Sequence, residues 1–169
     1  TANMYGIDVA SAASGSIVQG NYVYGGVYGL RNQGQDVLVD SNYFYNTQGI
    51  SIVAAGTRAT YSNNYIYDPT DNGIYVTANN VRIINPYIYS AASSDIYAVA
   101  RTGLIIEGGI LDGGATHGIL ISGASYNYRI KNIQIQNHAS SGYKAICISG
   151  SSNLSGSIEN CDVSIGNTG

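Results

Sequence analysis

A nine-residue pattern recurs along the whole chain at an almost constant spacing, and this spacing constrains the fold more than any other feature. Val81-Arg-Ile-Ile-Asn-Pro-Tyr-Ile-Tyr89 is its clearest copy. Val37-Leu-Val-Asp-Ser-Asn-Tyr-Phe-Tyr45, Ala59-Thr-Tyr-Ser-Asn-Asn-Tyr-Ile-Tyr67 and Tyr128-Arg-Ile-Lys-Asn-Ile-Gln-Ile-Gln136 are further copies, and Ser16 to Tyr24, Leu104 to Asp112 and Gly156 to Ser164 complete the set. The eighth residues form an apolar column: Val23, Phe44, Ile66, Ile88, Leu111, Ile135 and Val163. Successive members lie 21, 22, 22, 23, 24 and 28 residues apart. A fixed period in the low twenties is the mark of a solenoid, in which each coil buries its apolar face against the next.

Within each copy, the column five residues earlier is also apolar: Val18, Val39, Tyr61, Ile83, Ile106, Ile130 and Ile158. Apolar residues two apart with polar neighbours indicate a strand with one buried face. The five-residue step is odd, so the alternation breaks between the columns and a short turn intervenes. Asn63, Asn85, Asn132 and Asn160 share that turn position. Asn tolerates the left-handed backbone such a bend needs, and stacked Asn side chains can form a ladder. A further strand precedes each copy, with the signature Gly-Ile-x-Val: Gly6-Ile-Asp-Val9, Gly49-Ile-Ser-Ile52, Gly73-Ile-Tyr-Val76 and Gly118-Ile-Leu-Ile121. Tyr97-Ala-Val99 and Ile146-Cys-Ile148 are weaker copies. Three strands per coil and seven coils give an all-β parallel β-helix about 34 Å long at ~4.8 Å per coil. No stretch carries the helical apolar period, so almost no helix is expected.

The 169 residues suffice for one domain with a sizeable core, read as a single unit over 1–169. No terminal cap is visible and the first coil begins partway through, so the chain reads as part of a longer protein. Net charge is −3 and charged residues make up 10%. That composition argues against nucleic acid or an anionic membrane as partner, since both call for basic patches, and no apolar run is long enough to span a bilayer. Cys147 and Cys161 fall in one coil on different sheets, where two half-buried thiols fit better than a disulfide. No metal-ligand spacing and no phosphate or dinucleotide loop is present, so no cofactor is implied. Loops lengthen toward the C-terminus, where function is often carried, and Asn153-Leu-Ser155 is a glycosylation sequon.

The coil period, the three-strand coil and the Asn turn column together resemble the right-handed β-helices of the pectin-lyase-like superfamily. That group includes pectate lyases, polygalacturonases and phage tailspike depolymerases. The resemblance spans nearly the whole chain and is closest to a tailspike rod. It implies an extracellular or virion-surface protein that binds or cleaves polysaccharide, by hydrolysis or elimination, and assembles as a side-by-side homotrimer. The alternative is a structural or adhesive β-helix without catalysis, because one fold hosts many chemistries. Thr116-His-Gly118 and Arg129-Ile-Lys131 are similar to polygalacturonase motifs, but the Asn-Thr-Asp and Asp-Asp motifs of those enzymes are absent and Arg129 is explained by the repeat.

Two groups of residues could carry function. Tyr22, Tyr43, Tyr65 and Tyr87 precede the anchor column, and Tyr24, Tyr45, Tyr67 and Tyr89 follow it. With the anchors pointing inward, both sets point outward and form two aromatic ladders. Such a wall suits a subunit interface, a platform for glycan stacking, or plain packing between equivalent positions. The second group lies at the start of the first strand. Counted two residues before its inward position, the column reads Tyr5, Tyr28, Gln48, Asn72, Asp95, His117 and Lys144. On this alignment Asp71 and Asp95 form an acid-base pair spaced for glycoside hydrolysis, with His117 orienting or sharing a proton. Asn72 and Tyr75 would touch the sugar, and Arg101 and Lys144 would meet an acidic one. Ordinary turn chemistry also explains Asp71-Asn72-Gly73. Glu107, Lys131 and Glu159, stacked in successive coils, read as a surface charge ladder.

Overall fold

The computed structural model describes residues 4–99, 101–138, 142–150 and 155–164. Every regular element among them is a β-strand. The strands form three seven-stranded sheets, and each sheet takes one strand from each coil. The first sheet contains Tyr5–Val9, Tyr28–Asn32, Ile52–Ala54, Ile74–Val76, Ser94–Val99, His117–Ser122 and Lys144–Ser149. The second contains Ile17–Gln19, Leu38–Asp40, Thr60–Ser62, Arg82–Ile84, Ile105–Glu107, Tyr126–Lys131 and Ser155–Glu159. The third contains Tyr22–Tyr24, Tyr43–Tyr45, Tyr65–Tyr67, Tyr87–Tyr89, Ile110–Asp112, Gln134–Gln136 and Asp162–Ser164. All neighbours pair in parallel. The chain therefore coils into a parallel β-helix whose core is the space between the three sheets.

Both apolar columns pair in the register read from the sequence. Val23, Phe44, Ile66, Ile88, Leu111, Ile135 and Val163 are successive partners in the third sheet. Val18 through Ile158 are successive partners in the second. The inward residues of the middle coils are fully buried, among them Phe44, Tyr61, Ile83 and Leu111. Tyr61 stays inside because its hydroxyl accepts a hydrogen bond from Nδ2 of Asn32 at 3.0 Å, which satisfies two buried polar groups at once. In the seventh coil Ile158 and Val163 are half-exposed among the described residues.

Three backbone columns turn the chain at the corners of the coil. All thirteen described non-glycine residues with positive φ fall on them. Asp36, Arg58, Asn80 and Asn127 turn from the first sheet to the second. Ser41, Asn63, Asn85, Asn132 and Asn160 turn from the second to the third. Asn46, Asp68, Ser90 and Asn137 turn back to the first. Eight of the thirteen are Asn, the residue that enters the left-handed region at least cost after glycine. The expected Asn turn column is thus one of three.

Its ladder is displaced by one residue. Asn85 and Asn63 touch only weakly, at 3.4 Å. The tight ladder is Asn21, Asn42 and Asn64, one position later. The Asn64 side-chain oxygen accepts from Asn42 N and Nδ2 at 3.0 and 3.1 Å, and that of Asn42 accepts from Asn21 N and Nδ2 at 3.0 and 2.9 Å. Pro86 ends the run. The left-handed Asn side chains face solvent, whereas their neighbours turn in and must find partners.

The alignment of the first strand needs correction in two coils. The inward column is Ile7, Leu30, Ile52, Ile74, Ile96, Ile119 and Ile146. Ile52 and Ile96 therefore replace Ile50 and Tyr97 as the equivalents of Ile74. The Gly-Ile-Ser-Ile52 match was two residues early, and Tyr97-Ala-Val99 was one residue late. Because side chains alternate along the body of the strand, the one-residue slip moves Tyr97 to the outward face, beside Tyr75. Cys147 and Cys161 are both free and half-buried. Asn153 and Leu154 of the sequon lie outside the described residues.

Candidate functional site

The corrected register redistributes the residues expected at the first strand. Ser94, not Asp95, pairs with His117, which in turn pairs with Lys144. Asn72 occupies the same column one coil before Ser94, and the Ser94 amide donates to its Oδ1 at 3.2 Å. Asp95 falls in the next column, with Gly6, Gly29, Ser51, Gly73, Gly118 and Ala145. These positions point into the rod, where small residues clear the third sheet. A Cβ on Gly73 would lie 2.8 Å from an Ile88 methyl carbon, for instance. Asp95 is the one charged residue in this column and is fully buried.

The Asp95 carboxyl fits because position 114 is glycine; a Cβ there would come within 2.7 Å of Oδ1. Neither carboxyl oxygen has a hydrogen-bond partner. Oδ2 lies 3.5 Å from Nε2 of His138, which is also buried. Nδ1 of His138 is 2.8 Å from the Gly114 carbonyl, and its ring stacks on Tyr143 with centroids 4.0 Å apart. Burial, and secondarily the charge of Asp112, push the Asp95 carboxyl well above the usual carboxylate range. Burial also holds His138 below its usual value, so both groups are pressed toward their neutral forms.

Asp71 remains on the surface loop, half-exposed, and accepts from Nδ2 of Asn72 at 2.8 Å. With Asp95 turned inward, the two carboxyls lie on opposite sides of the coil wall and share no face. His117 is half-buried with Nδ1 unpartnered, and burial followed by the Lys144 charge lowers its pKa. Lys144 is exposed beside it. Arg101 follows the far end of the Ser94–Val99 strand, roughly 20 Å along the strand direction from the Lys144 row, so the two cations do not converge. Arg101 is half-buried, its Nε has no partner, and its backbone NH donates to Ser125 Oγ at 3.2 Å. Tyr75 faces outward and meets Tyr97 at 5.3 Å. Lys131 Nζ pairs with Glu107 at 2.8 Å, as a charge ladder requires. Among the described residues, no three of His, Cys, Asp and Glu gather as metal ligands.

The third sheet carries the most extensive assembled feature. Tyr22, Tyr43, Tyr65 and Tyr87 run in one row, with centroids 5.0, 6.2 and 5.4 Å apart. Tyr24, Tyr45, Tyr67 and Tyr89 run in a second, at 5.6, 5.3 and 4.5 Å. The alternation of the strand sends both rows outward while the anchor column fills the core. Tyr22 and Tyr24 are each 67% exposed and Tyr65 is 53% exposed. The rows end at Ile110 and Asp112. From there Gln136 and Asn137 donate to Asp112 at 3.1 and 2.8 Å, replacing an aromatic surface with a hydrogen-bonded one.

His138 and Tyr143 escaped sequence reasoning. They lie in a lengthened loop, and nothing in their local sequence marks them as inward. Arg82 and Arg129 were read only as members of the repeat, although their shared outward column was legible from the coil register.

The family described as the right-handed beta helix region matches residues 25–169. A sequence search of the curated proteins returns no match. Among solved structures, the periplasmic alginate epimerase AlgG superposes with a TM-score of 0.71 at 14% identity, over 94% of this chain and 42% of that one. The A-module of an Azotobacter vinelandii mannuronan C-5 epimerase gives 0.52 at 13% identity, over 90% and 56%. The catalytic unit of a GH87 alpha-1,3-glucanase from Streptomyces thermodiastaticus gives 0.55 at 10% identity, over 92% and 48%. At these identities the likeness is one of fold, and the chain spans about half the length of each.

Proposed function

The chain belongs to the right-handed beta helix family, and from that premise we propose that it is a polysaccharide-binding rod that works outside the cytoplasm, with the tyrosine wall of the third sheet as its glycan platform. The observation that carries this reading is the pair of four-membered tyrosine rows, open to solvent at Tyr22, Tyr24 and Tyr65. Tyr22 and Tyr24, at the end of the rows and stacked on one neighbour each among the described residues, offer a ring face to the CH face of a sugar, and the hydroxyls and ring edges along both rows offer donors, acceptors and apolar contact. The structural neighbours bear names that refer to alginate, mannuronan and alpha-1,3-glucan, which supports a glycan as ligand.

In this reading coils four to six do not cleave the glycan. Glycoside hydrolysis places two carboxyls on the two sides of one scissile bond. Asp95, closed inside the rod, reaches no substrate lying over Asp71 and His117. The test is affinity electrophoresis through gels containing alginate, alpha-glucan or pectin, with wild type and Tyr43→Ser/Tyr65→Ser. Retardation of the wild type that is lost in the variant supports the platform. Equal mobility of the two in every gel overturns it.

A second reading rests on the same exposed rings. A wall of eight tyrosines suits a side-by-side homotrimer of the tailspike kind. There the third sheets of three copies would cover one another, and the glycan would lie elsewhere.

A further inference from the structure

The outward face of the second sheet carries an open groove of about 650 Å³ between coils four and seven. Its walls include Arg82, Arg129, Asn80, Asn127 and Tyr128, and Ile105 lies on its floor. Arg82 pairs with Ile105 and Ile105 with Arg129 across the sheet, so the two guanidinium groups stand in one row with an apolar residue between them. At its far end the absence of a side chain on Gly156 makes room for the Tyr128 ring, which occupies the space a Cβ would take.

The groove holds two of the four cations that have no carboxylate partner among the described residues, the others being Arg101 and Lys144. The chain has seven Lys and Arg residues and a net charge of −3. Arg31 is paired with Asp8, Arg58 with Asp36, and Lys131 with Glu107. Arg82 and Arg129 are exposed and, among the described residues, have no carboxylate partner. No Asp or Glu lines the groove. Two unpaired guanidiniums without an intervening acid create a local positive field and offer planar forks that match carboxylates.

We propose that this groove binds a linear sugar chain bearing carboxylates, with Arg82 and Arg129 each holding one carboxylate. Two coils separate the arginines by roughly 9.6 Å at the backbone. In an extended sugar chain of two-fold character, substituents on one side recur at every second residue, a separation on the same scale. Ile105 lies under the CH face of the intervening sugar, and Asn80 and Asn127 meet its hydroxyl groups. Nucleic acid fits poorly. A pair of cations on an acidic chain gives little phosphate neutralisation, and a single Tyr gives no run of stacked bases. The site lies on a different sheet from the tyrosine wall and does not depend on that wall binding glycan.

The test uses tetragalacturonate as probe, cellotetraose as its neutral counterpart, and titration calorimetry at low and moderate salt. The wild type should bind tetragalacturonate, more weakly as salt rises, and cellotetraose at least tenfold less tightly. Arg82→Gln and Arg129→Gln should each weaken binding about tenfold or more. Arg58→Gln, which removes a cation from another corner, should leave it unchanged. Ile105→Glu puts a carboxylate between the two guanidiniums at an outward position that does not disturb the core, and it should abolish binding. Tyr43→Ser/Tyr65→Ser should retain it, which separates this groove from the third-sheet platform. Absence of wild-type binding, equal affinity for cellotetraose, equal loss in Arg58→Gln, or retention in Ile105→Glu would each overturn the proposal.

Discussion

Inside the rod, Oδ2 of Asp95 lies 3.5 Å from Nε2 of His138, and neither residue is accessible to solvent. A carboxyl has taken a column otherwise filled by glycine, serine and alanine. The pairing ties the first sheet to the segment that follows the third-sheet strand Gln134–Gln136.

The pairing makes stability depend on pH in two opposing ways. Burial raises the Asp95 carboxyl above its ordinary value near 3.8. The folded chain therefore keeps a proton that the unfolded chain releases, and stability falls as pH rises from about 4 through the folded-state value. His138, held below 6.5 by burial, acts on the acid side, where stability falls as pH drops through that value. Asp95→Ala should remove the first effect and stabilise the chain by about 1–3 kcal/mol at pH 8, with a smaller gain at pH 4. Denaturant unfolding at the two pH values measures this. A loss of stability at pH 8 would mean that a charged Asp95–His138 pair holds the core together.

Gly114 and Asp95 should be energetically coupled. Gly114→Ala places a methyl group 2.7 Å from Asp95 Oδ1 and should cost about 1–3 kcal/mol. In an Asp95→Gly background the same substitution should cost less than about 0.5 kcal/mol, because the obstacle is gone. A double-mutant cycle by urea unfolding reads the difference, and strict additivity would show that the two residues do not share the space.

The two kinds of Asn at the turn between the second and third sheets should respond differently. Asn85→Val forces a β-branched residue into φ of 47° and should cost about 1–2 kcal/mol, whereas Asn85→Gly should be close to neutral. Asn42→Ala removes an acceptor from Asn21 and the Nδ2 donation to the Val18 and Asp40 carbonyls, the second of which keeps the Gly20 amide. It should cost on the order of 3 kcal/mol. Thermal melts that rank Asn85→Gly as more harmful than Asn42→Ala would refute this division of roles.

Asp40 should control the acid limb of the stability curve near the second coil. Hydrogen bonds from Ser62, Ser41 and Asn63 lower its carboxyl to about 2. Its folded value lies below the unfolded one, so the stabilisation is present above about pH 4 and is lost as pH falls toward 2. Asp40→Asn should flatten that decline. Unfolding midpoints at pH 5 and pH 2.5 test it, and an unchanged slope would assign the decline to other carboxylates.

Light scattering on wild type and Tyr43→Ser/Tyr65→Ser distinguishes the two uses of the tyrosine wall. A trimer that falls to monomer in the variant assigns the wall to an interface. A monomer in both cases leaves the rings open to glycan.

The sequence by itself determined the coil. Val23 through Val163 and Val18 through Ile158 recur with a period that only stacking can satisfy, and the outward tyrosines follow from alternation about Phe44, Ile66 and Ile88. Local geometry also marked the left-handed turn at Asn63, Asn85, Asn132 and Asn160, because few residue types enter that region cheaply. Tertiary structure decided which way Asp95 faces. Strict alternation about the inward Ile96 would turn Asp95 outward, but alternation fails over the first residues of that strand, and the room left by Gly114 lets the carboxyl enter the core. The inward turn of His138, the unpaired state of Arg82 and Arg129, and the shift of the Asn ladder to Asn21, Asn42 and Asn64 were decided in the same way. Each depends on what lies across the coil or one coil away, and neighbours that distant leave no local trace in the chain.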